Sequence, residues 1–154
     1  MEQRERLPAE SPAQAATLYE RDFAEWIADQ VAALREARFD ALDVPNLIDE
    51  LEGLAGRDRR ELIGRLRVIL IHLLKLRYQP ERASNSWRGT ILTQQGDIED
   101  LLAQSPSLRR FVPEYVDIAY KRAREKTALD THLPVATFPL ESPFTVEEIL
   151  VGVP

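Results

Sequence analysis

The stretch RLRVILIHLLKLRY, residues 65–78, decides the fold, because apolar side chains cover most of the helix that it forms. At about 100° per residue, its polar residues fall on one narrow seam that continues onto the neighbouring turns. The seam consists of Asp58, Glu61, Arg65, His72, Lys75 and Gln79. A helix that is apolar on nearly all sides must be surrounded by other helices, so the sequence predicts an all-α protein with this helix at its centre.

The length and composition predict one helical domain in the cytoplasm. A chain of 154 residues fits one domain, which we expect to be residues 11–154 after a flexible N-terminal segment, residues 1–10. The absence of cysteine excludes thiolate catalysis, cysteine-bound metals and disulfides, and favours a reducing compartment. Residues 1–10 contain no apolar run typical of a secretory signal. His72 and Lys75 interrupt an apolar run that is far shorter than a membrane span of about 20 residues.

The charges are segregated along the chain. Residues 1–56 hold 13 acids and 5 bases, residues 57–90 hold 3 acids and 9 bases, and the remainder is acidic again. A basic block of this kind can bind a polyanion, or it can face acidic helices of the same chain or a second subunit. A pI near 5.0 and the absence of a helix-turn-helix signature argue against a dedicated nucleic-acid binder. We therefore prefer internal pairing and keep a nucleic-acid-associated role as an alternative.

Capping signals divide the first half of the chain into two helices. Ser11 followed by Pro12 and Gln14 is typical of a helix start, and the apolar spacing extends this first helix to about Arg38, with Trp26 in the core. Residues 43–46, Asp-Val-Pro-Asn, start a second helix that ends where Pro80 follows Gln79. Glycine weakens a helix by up to about 1 kcal/mol relative to alanine, so the two glycines at 53 and 56 predict a kink or break near Gly56.

The second half predicts two more long helices and an extended strap. The third helix begins at Ser84 or Asn85 and stops at Ser105, and the fourth runs past Pro113 towards Leu129. From His132 onward, three prolines exclude helical periodicity, and a capping box at residues 145–148 starts a short terminal helix. We expect four strap residues to pack on the helices: Leu133, Val135, Phe138 and Phe144.

The prediction is therefore a single-domain helical bundle of four to five main helices with an extended, proline-containing C-terminal strap. The apolar residues at helical spacing supply its core. The expected core is Trp26, Phe23, Leu47, Leu51, Leu54, Leu66, Ile69, Leu73, Leu74, Trp87, Leu101 and Phe111.

Several stretches together resemble a bacterial family, number twenty-nine among the domains of unknown function. They are LYERDFAEWI, NLIDELEGL, RLRVILIHLLKLRYQPE, the SW-RGTI segment after Asn85, SPSLRRF, and the FP-ESPFT-EEIL ending. The resemblance covers nearly the whole chain and implies an all-helical bacterial domain, often a stand-alone protein. It implies no catalytic or binding residue. One departure is the segment Gln94, Gln95 and Gly96, where such proteins often have a basic helical stretch.

The motifs of common catalytic and metal sites are absent. Neither histidine lies in a Glu-x-x-His or HExxH motif, and the glycines fit no phosphate-binding loop. We therefore predict no catalytic residue, no metal and no cofactor. The seam residues Arg65, His72 and Lys75 remain as a candidate ligand site. Candidate flanking residues follow on the next turns: Tyr78, Trp87 and Arg88.

The sequence alone favours a protein-interaction module without catalysis, whose partner is another protein or a second copy of the chain. One alternative is a small-molecule-binding protein or an enzyme that uses the Arg65, His72 and Lys75 seam. The other is the nucleic-acid-associated protein that the basic middle segment would allow. The seam residues also have a structural interpretation, in which they form a half-exposed stripe and His72 bonds a nearby oxygen.

Overall fold

The protein is all-α over residues 16–152, the range that the computed structural model describes. Within this range there is no strand, and the helices are α1 Leu18–Arg21, α2 Phe23–Arg35, α3 Val44–Tyr78, α4 Asn85–Gln104, α5 Val112–Thr131 and α6 Val146–Leu150. The four long helices, α2 to α5, confirm the predicted fold class. The predicted segment 1–10 and the predicted helix start at Ser11 lie outside the described residues.

The chain divides into two compact units, Met1–Leu51 and Glu52–Pro154. The described part of the first unit contains α1, α2 and the first two turns of α3. The described part of the second contains the rest of α3 with α4, α5 and α6. The single domain expected over residues 11–154 stays a prediction.

The predicted first helix, which was expected to run to about Arg38, is interrupted at Asp22 and ends early. Asp22 has an extended conformation and separates α1 from α2, because its carboxylate accepts from the backbone N–H of Glu25 and starts a new helix. The helix ends at Arg35 rather than Arg38. Ala37 has a φ of 53°, and the N–H of Arg38 donates to the carbonyl of Ala33 at 2.8 Å. This is a left-handed C-terminal cap. Its hydrogen bond satisfies a carbonyl of the last turn of α2, so the helix ends before Arg38.

In the first unit, α2 and the start of α3 form an antiparallel hairpin. The indole Nε1 of Trp26 donates to Asp43 Oδ2 at 3.1 Å, and the N–H of Asp43 donates to Gln30 Oε1 at 2.7 Å. At the other end of the hairpin, the Tyr19 hydroxyl donates to Glu50 Oε1 at 2.7 Å. Tyr19 on α1 therefore meets a later residue of the chain than Trp26 on α2 does, so the chain runs antiparallel here, and Trp26 is buried as predicted.

No break occurs at Gly56, so the prediction of a break there is wrong. α3 is one α-helix of 35 residues from Val44 to Tyr78. Glycine lowers helix stability but keeps its N–H, so it does not interrupt the hydrogen bonding as proline does. Asp58, which could have capped a new helix after Gly56, instead accepts from the hydroxyl of Ser105 at 3.2 Å.

The core of the second unit lies around the C-terminal half of α3. Leu62, Leu66, Ile69, Leu70 and Leu74 on this helix are fully buried, and residues of α4, α5 and α6 pack against them. Of the predicted core, Leu66, Ile69, Leu73, Leu74 and Leu101 are buried, whereas Leu47, Trp87 and Phe111 are half-buried. Phe23, Leu51 and Leu54 are exposed and do not belong to the core. Their spacing correctly indicated an apolar face on each helix. Spacing alone does not show whether another helix covers that face.

The strap after α5 packs on the second unit, as expected for most of its apolar residues. Phe138 is buried, and Leu133 and Phe144 are partly buried against the core, whereas Val135 is exposed, contrary to the prediction. The predicted capping box is present: Thr145 accepts from the N–H of Glu148, and Glu148 accepts from the N–H of Thr145. α6, which follows it, places Ile149 in the core.

Candidate functional site

The predicted seam lies on α3, and the structure binds each end of it to a different neighbouring helix. Near its N-terminal end, the Arg65 guanidinium bonds Glu61 on the same helix at 2.9 Å. It also donates to Asp97 on α4 and, at 3.3 Å, to Gln94 Oε1. Arg65 is therefore paired with carboxylates within the second unit and connects α3 to α4.

His72 lies in the middle of the seam and is half-buried. Its Nδ1 lies 2.8 Å from the carbonyl oxygen of Val68, one turn earlier on the same helix. A neutral imidazole that donates through Nδ1 would satisfy this contact and leave Nε2 as an acceptor. This contact corresponds to the structural interpretation of the seam, in which His72 bonds a nearby oxygen.

Lys75 connects the other end of the seam to α5. Its Nζ donates to Asp130 Oδ2 at 2.8 Å and lies 5.8 Å from the centre of the Trp87 ring. Asp130 also accepts from Lys126. Burial raises the pKa of Asp130, but the hydrogen bonds and charges of the two lysines outweigh burial and bring its pKa below the ordinary value.

The candidate flanking residues lie in two different places relative to the seam. The ring of Tyr78 packs edge-on against Phe138 of the strap, with ring centres 4.9 Å apart. Trp87 and Arg88 lie in the first turn of α4 and are half-buried. Tyr78 therefore contacts the strap, whereas Trp87 contacts Lys75.

A shallow acidic groove of about 260 Å³ surrounds one end of the seam. It includes Arg65, but neither His72 nor Lys75 lines it. Its polar and apolar lining consists of Asp58, Glu61, Arg65, Asp97, Asp100, Leu101 and Gln104. This groove therefore brings Arg65 together with acidic side chains but does not include the other two candidate seam residues. Among residues 16–152, no cluster of three or more histidine, aspartate or glutamate side chains could hold a metal.

Two larger grooves involve the C-terminal part of the chain. One of about 610 Å³ lies between α5 and the strap, with Val116, Tyr120 and Phe144 among its lining residues. Another of about 470 Å³ lies between α4 and the end of α6 and includes Leu102 and Val151. Neither groove contains a seam residue.

The sequence prediction missed an exposed apolar surface on the hairpin of the first unit. α2 carries four large apolar side chains that are 39 to 50% exposed, and the start of α3 carries three that are 49 to 64% exposed. We call this surface the hairpin face; its residues are Phe23, Ile27, Val31, Leu34, Val44, Ile48 and Leu51. Of these residues, Phe23 and Leu51 were predicted to lie in the core, and the others were not assigned to any surface.

The chain also matches the model of a known protein family. The model of the family described as "Domain of unknown function DUF29" matches residues 18–152, which is nearly the whole chain. This chain belongs to the DUF29 family. The match confirms the resemblance that the sequence motifs indicated. No curated protein and no solved structure matches the chain.

The DUF29 family model brings no functional residues with it. Membership therefore assigns the chain to a family without adding a reaction or a ligand. Within residues 16–152, every helix is too short or too polar to cross a membrane. A function for this DUF29 protein therefore has to be inferred from the geometry of its surfaces.

Proposed function

We propose that this DUF29 protein is a helical protein-interaction module that acts through the hairpin face and has no catalytic activity of its own. Single exposed apolar side chains are common on protein surfaces. Seven large ones at helical spacing on one hairpin are not, and contiguous patches of this kind mark interaction sites. The exposure of this face is the observation that carries the proposal.

The contacts of the seam support the same choice over a ligand site. Arg65 and Lys75 are engaged with carboxylates, and His72 lies beside a backbone carbonyl. A ligand that used these groups would first have to replace such contacts. The use of the seam by a small molecule or by an enzyme reaction stays a prediction, as does nucleic-acid binding by the basic segment.

We place this module in the bacterial cytoplasm. The absence of cysteine fits a reducing compartment, and bacteria are the source that the family resemblance implied. A recognition surface that is largely apolar needs no redox or metal chemistry for its action.

A photo-crosslinking amino acid at position 27 tests the proposal in cells of the host organism. Ile27 belongs to the hairpin face, and Asp29, two residues later on the same helix, provides the control position because it is exposed outside that face. We expect a covalent protein adduct from position 27 that is absent from position 29 and is lost when Val31 is changed to glutamate. Equal crosslinking from both positions, or none from position 27, would overturn the proposal.

A further inference from the structure

Two exposed arginines of the second unit lie against aromatic rings that belong to the region around its core. The Cζ atom of Arg59 on α3 is 5.4 Å from the centre of the Tyr115 ring, and the Cζ atom of Arg110, just before α5, is 4.7 Å from the centre of the Phe111 ring. Both arginines are exposed. We call this set the arginine–aromatic cluster; its residues are Arg59, Arg110, Phe111 and Tyr115.

The two rings form a firm base for the cluster. Phe111 and Tyr115 lie about one helical turn apart, and their rings are stacked with centres 5.9 Å apart. Tyr115 is buried in the core, and Phe111 is partly buried against it. An arginine that already lies on such a ring loses less side-chain freedom when it binds a ligand, because its guanidinium is positioned in advance.

The N–H groups of both guanidiniums lack an acceptor. Neither Arg59 nor Arg110 donates to an oxygen or pairs with a carboxylate among residues 16–152. Contact with a ring uses the face of a guanidinium and leaves the N–H groups on its edge available. These N–H groups form a planar fork that matches the two oxygens of a carboxylate.

Arg77 shows the complete form of this arrangement in the same unit. Its Cζ atom lies 4.3 Å from the centre of the Phe144 ring, and its Nη1 donates to the carbonyl oxygen of Pro143 at 3.3 Å. Arg59 and Arg110 have the ring of this arrangement but not its oxygen. Their edges are therefore suited to an oxygen ligand that another molecule supplies.

One bound segment can reach both arginines. Their Cζ atoms are joined through the two rings by distances of 5.4, 5.9 and 4.7 Å. They are therefore at most about 16 Å apart, which is the length of an α-helix of about eleven residues at 1.5 Å per residue.

The surroundings of the cluster favour carboxylates over the phosphates of a nucleic acid. Glu114 is exposed in the first turn of α5, between Phe111 and Tyr115 in the chain, and Asp117 is exposed on the next turn. A continuous chain of phosphates would meet these like charges, whereas a protein segment can carry its acids only where the arginines lie. Tyr115 is 6% exposed, so its ring offers no free face on which a base could stack.

We infer that the arginine–aromatic cluster binds an acidic segment of a partner protein, with one carboxylate on Arg59 and a second on Arg110. The cluster shares no residue with the hairpin face, so this inference goes beyond the proposed function and does not depend on it. Two oxygens of each carboxylate accept from the fork of one arginine, and this geometry selects for carboxylates at a suitable spacing.

Fluorescence anisotropy with a labelled acidic peptide tests the inference. The probe is a helical peptide of about 15 residues with glutamates on one face, titrated with the full chain at about 50 mM salt. We expect saturable binding with a Kd below about 1 mM. Arg59→Lys and Arg110→Lys should each weaken binding about tenfold, because lysine keeps the charge but lacks the fork.

Arg122→Lys is the matched control. Arg122 is exposed on α5 and has no ring contact among residues 16–152, so this variant should bind the peptide as the wild type does. Wild-type affinity in either Arg59→Lys or Arg110→Lys would show that charge alone is sufficient and would overturn the inference. The inference would also be overturned by an absence of saturable binding or by equal weakening in the control.

A single-stranded DNA oligonucleotide with the same number of charges is the second probe. We expect it to bind more weakly than the peptide, and tighter binding of the DNA would overturn the choice of a protein partner. Circular dichroism should show unchanged helix content and melting temperature in each variant. If Arg59→Lys lowers the melting temperature, Arg110→Lys decides the result.

Discussion

Lys75 on α3 and Asp130 near the end of α5 lie 55 positions apart in the chain, yet the lysine Nζ is 2.8 Å from the carboxylate Oδ2. Lys126 donates to the other oxygen of the same carboxylate. The side chains of Lys75 and Asp130 are largely buried, so this pair is protected from water better than a surface pair. The Lys75–Asp130 pair connects the C-terminal part of the seam on α3 to α5.

Asp130→Asn should therefore lower the free energy of unfolding by about 1.5 to 3 kcal/mol at neutral pH. The folded pKa of Asp130 is lowered, so its stabilising effect is present above the unfolded pKa of about 3.9 and is lost as the pH falls through the folded pKa. Urea unfolding at several pH values should show the difference between wild type and variant narrowing below pH 4 or so. Asp117→Asn, at an exposed position of the same helix, is the control. A difference that persists unchanged in acid would contradict this assignment.

Gln95 should tolerate replacement by glutamate much less well than its neighbour Gln94. The Gln95 amide is buried and donates to the carbonyls of Ile149 and Gly152, at 3.0 and 2.9 Å. A carboxylate there would face two acceptors without a proton to donate, and we expect a loss of about 1 to 3 kcal/mol or more. Gln94 accepts from Arg65, so Gln94→Glu should leave the melting temperature nearly unchanged. Equal losses for the two variants would show that the amide donors of Gln95 are unimportant.

Thr127 and Thr131 on α5 form a second matched pair. The Thr127 hydroxyl is fully buried and has no hydrogen-bond partner among the described residues, so Thr127→Val should be neutral or stabilising. The Thr131 hydroxyl donates to the carbonyl of Thr127 at 2.7 Å, and Thr131→Val should lower the free energy of unfolding by about 0.5 to 1.5 kcal/mol. Thermal unfolding of the two variants checks that Thr131→Val is the more destabilising substitution. The opposite order would mean that Thr127 has the more important hydroxyl.

Phe138→Ala should destabilise the second unit, because its ring is buried and packs against Tyr78. Truncation of a buried phenylalanine typically costs about 3 to 5 kcal/mol. Leu140→Ala, two residues later in the strap, should have almost no effect because Leu140 is 83% exposed. Denaturant unfolding of both variants distinguishes a packed strap from a loose one. A Phe138→Ala protein with wild-type stability would show that the strap does not contribute to the core.

Local signals in the sequence were sufficient for most helix ends. Ser84 accepts from the N–H of Trp87, and Thr145 forms its capping box, as predicted. Caps depend on a few adjacent residues, so they can be recognised without knowing the rest of the fold. The break at Asp22 was missed because the apolar spacing on both sides of it suggested one continuous helix.

The residues that pair with the seam side chains could not have been predicted from such local signals. Arg65 meets Asp97, and Lys75 meets Asp130, only because α4 and α5 pack beside α3 at particular rotations. Apolar spacing predicted that these helices would pack, but it does not specify their order or register. For the same reason, Phe23 and Leu51 were assigned to the core: spacing identifies an apolar face, whereas burial depends on what lies opposite.

The bonds from Gln95 to the carbonyls of Ile149 and Gly152 also have a consequence for protein synthesis. They join residues 54 and 57 positions apart, and contacts of such long sequence separation form late in folding. While a ribosome is making the chain, α4 emerges well before α6. The Gln95 amide then has to remain solvated until residues up to Gly152 have left the ribosome, so the second unit completes its core only after these residues have been released.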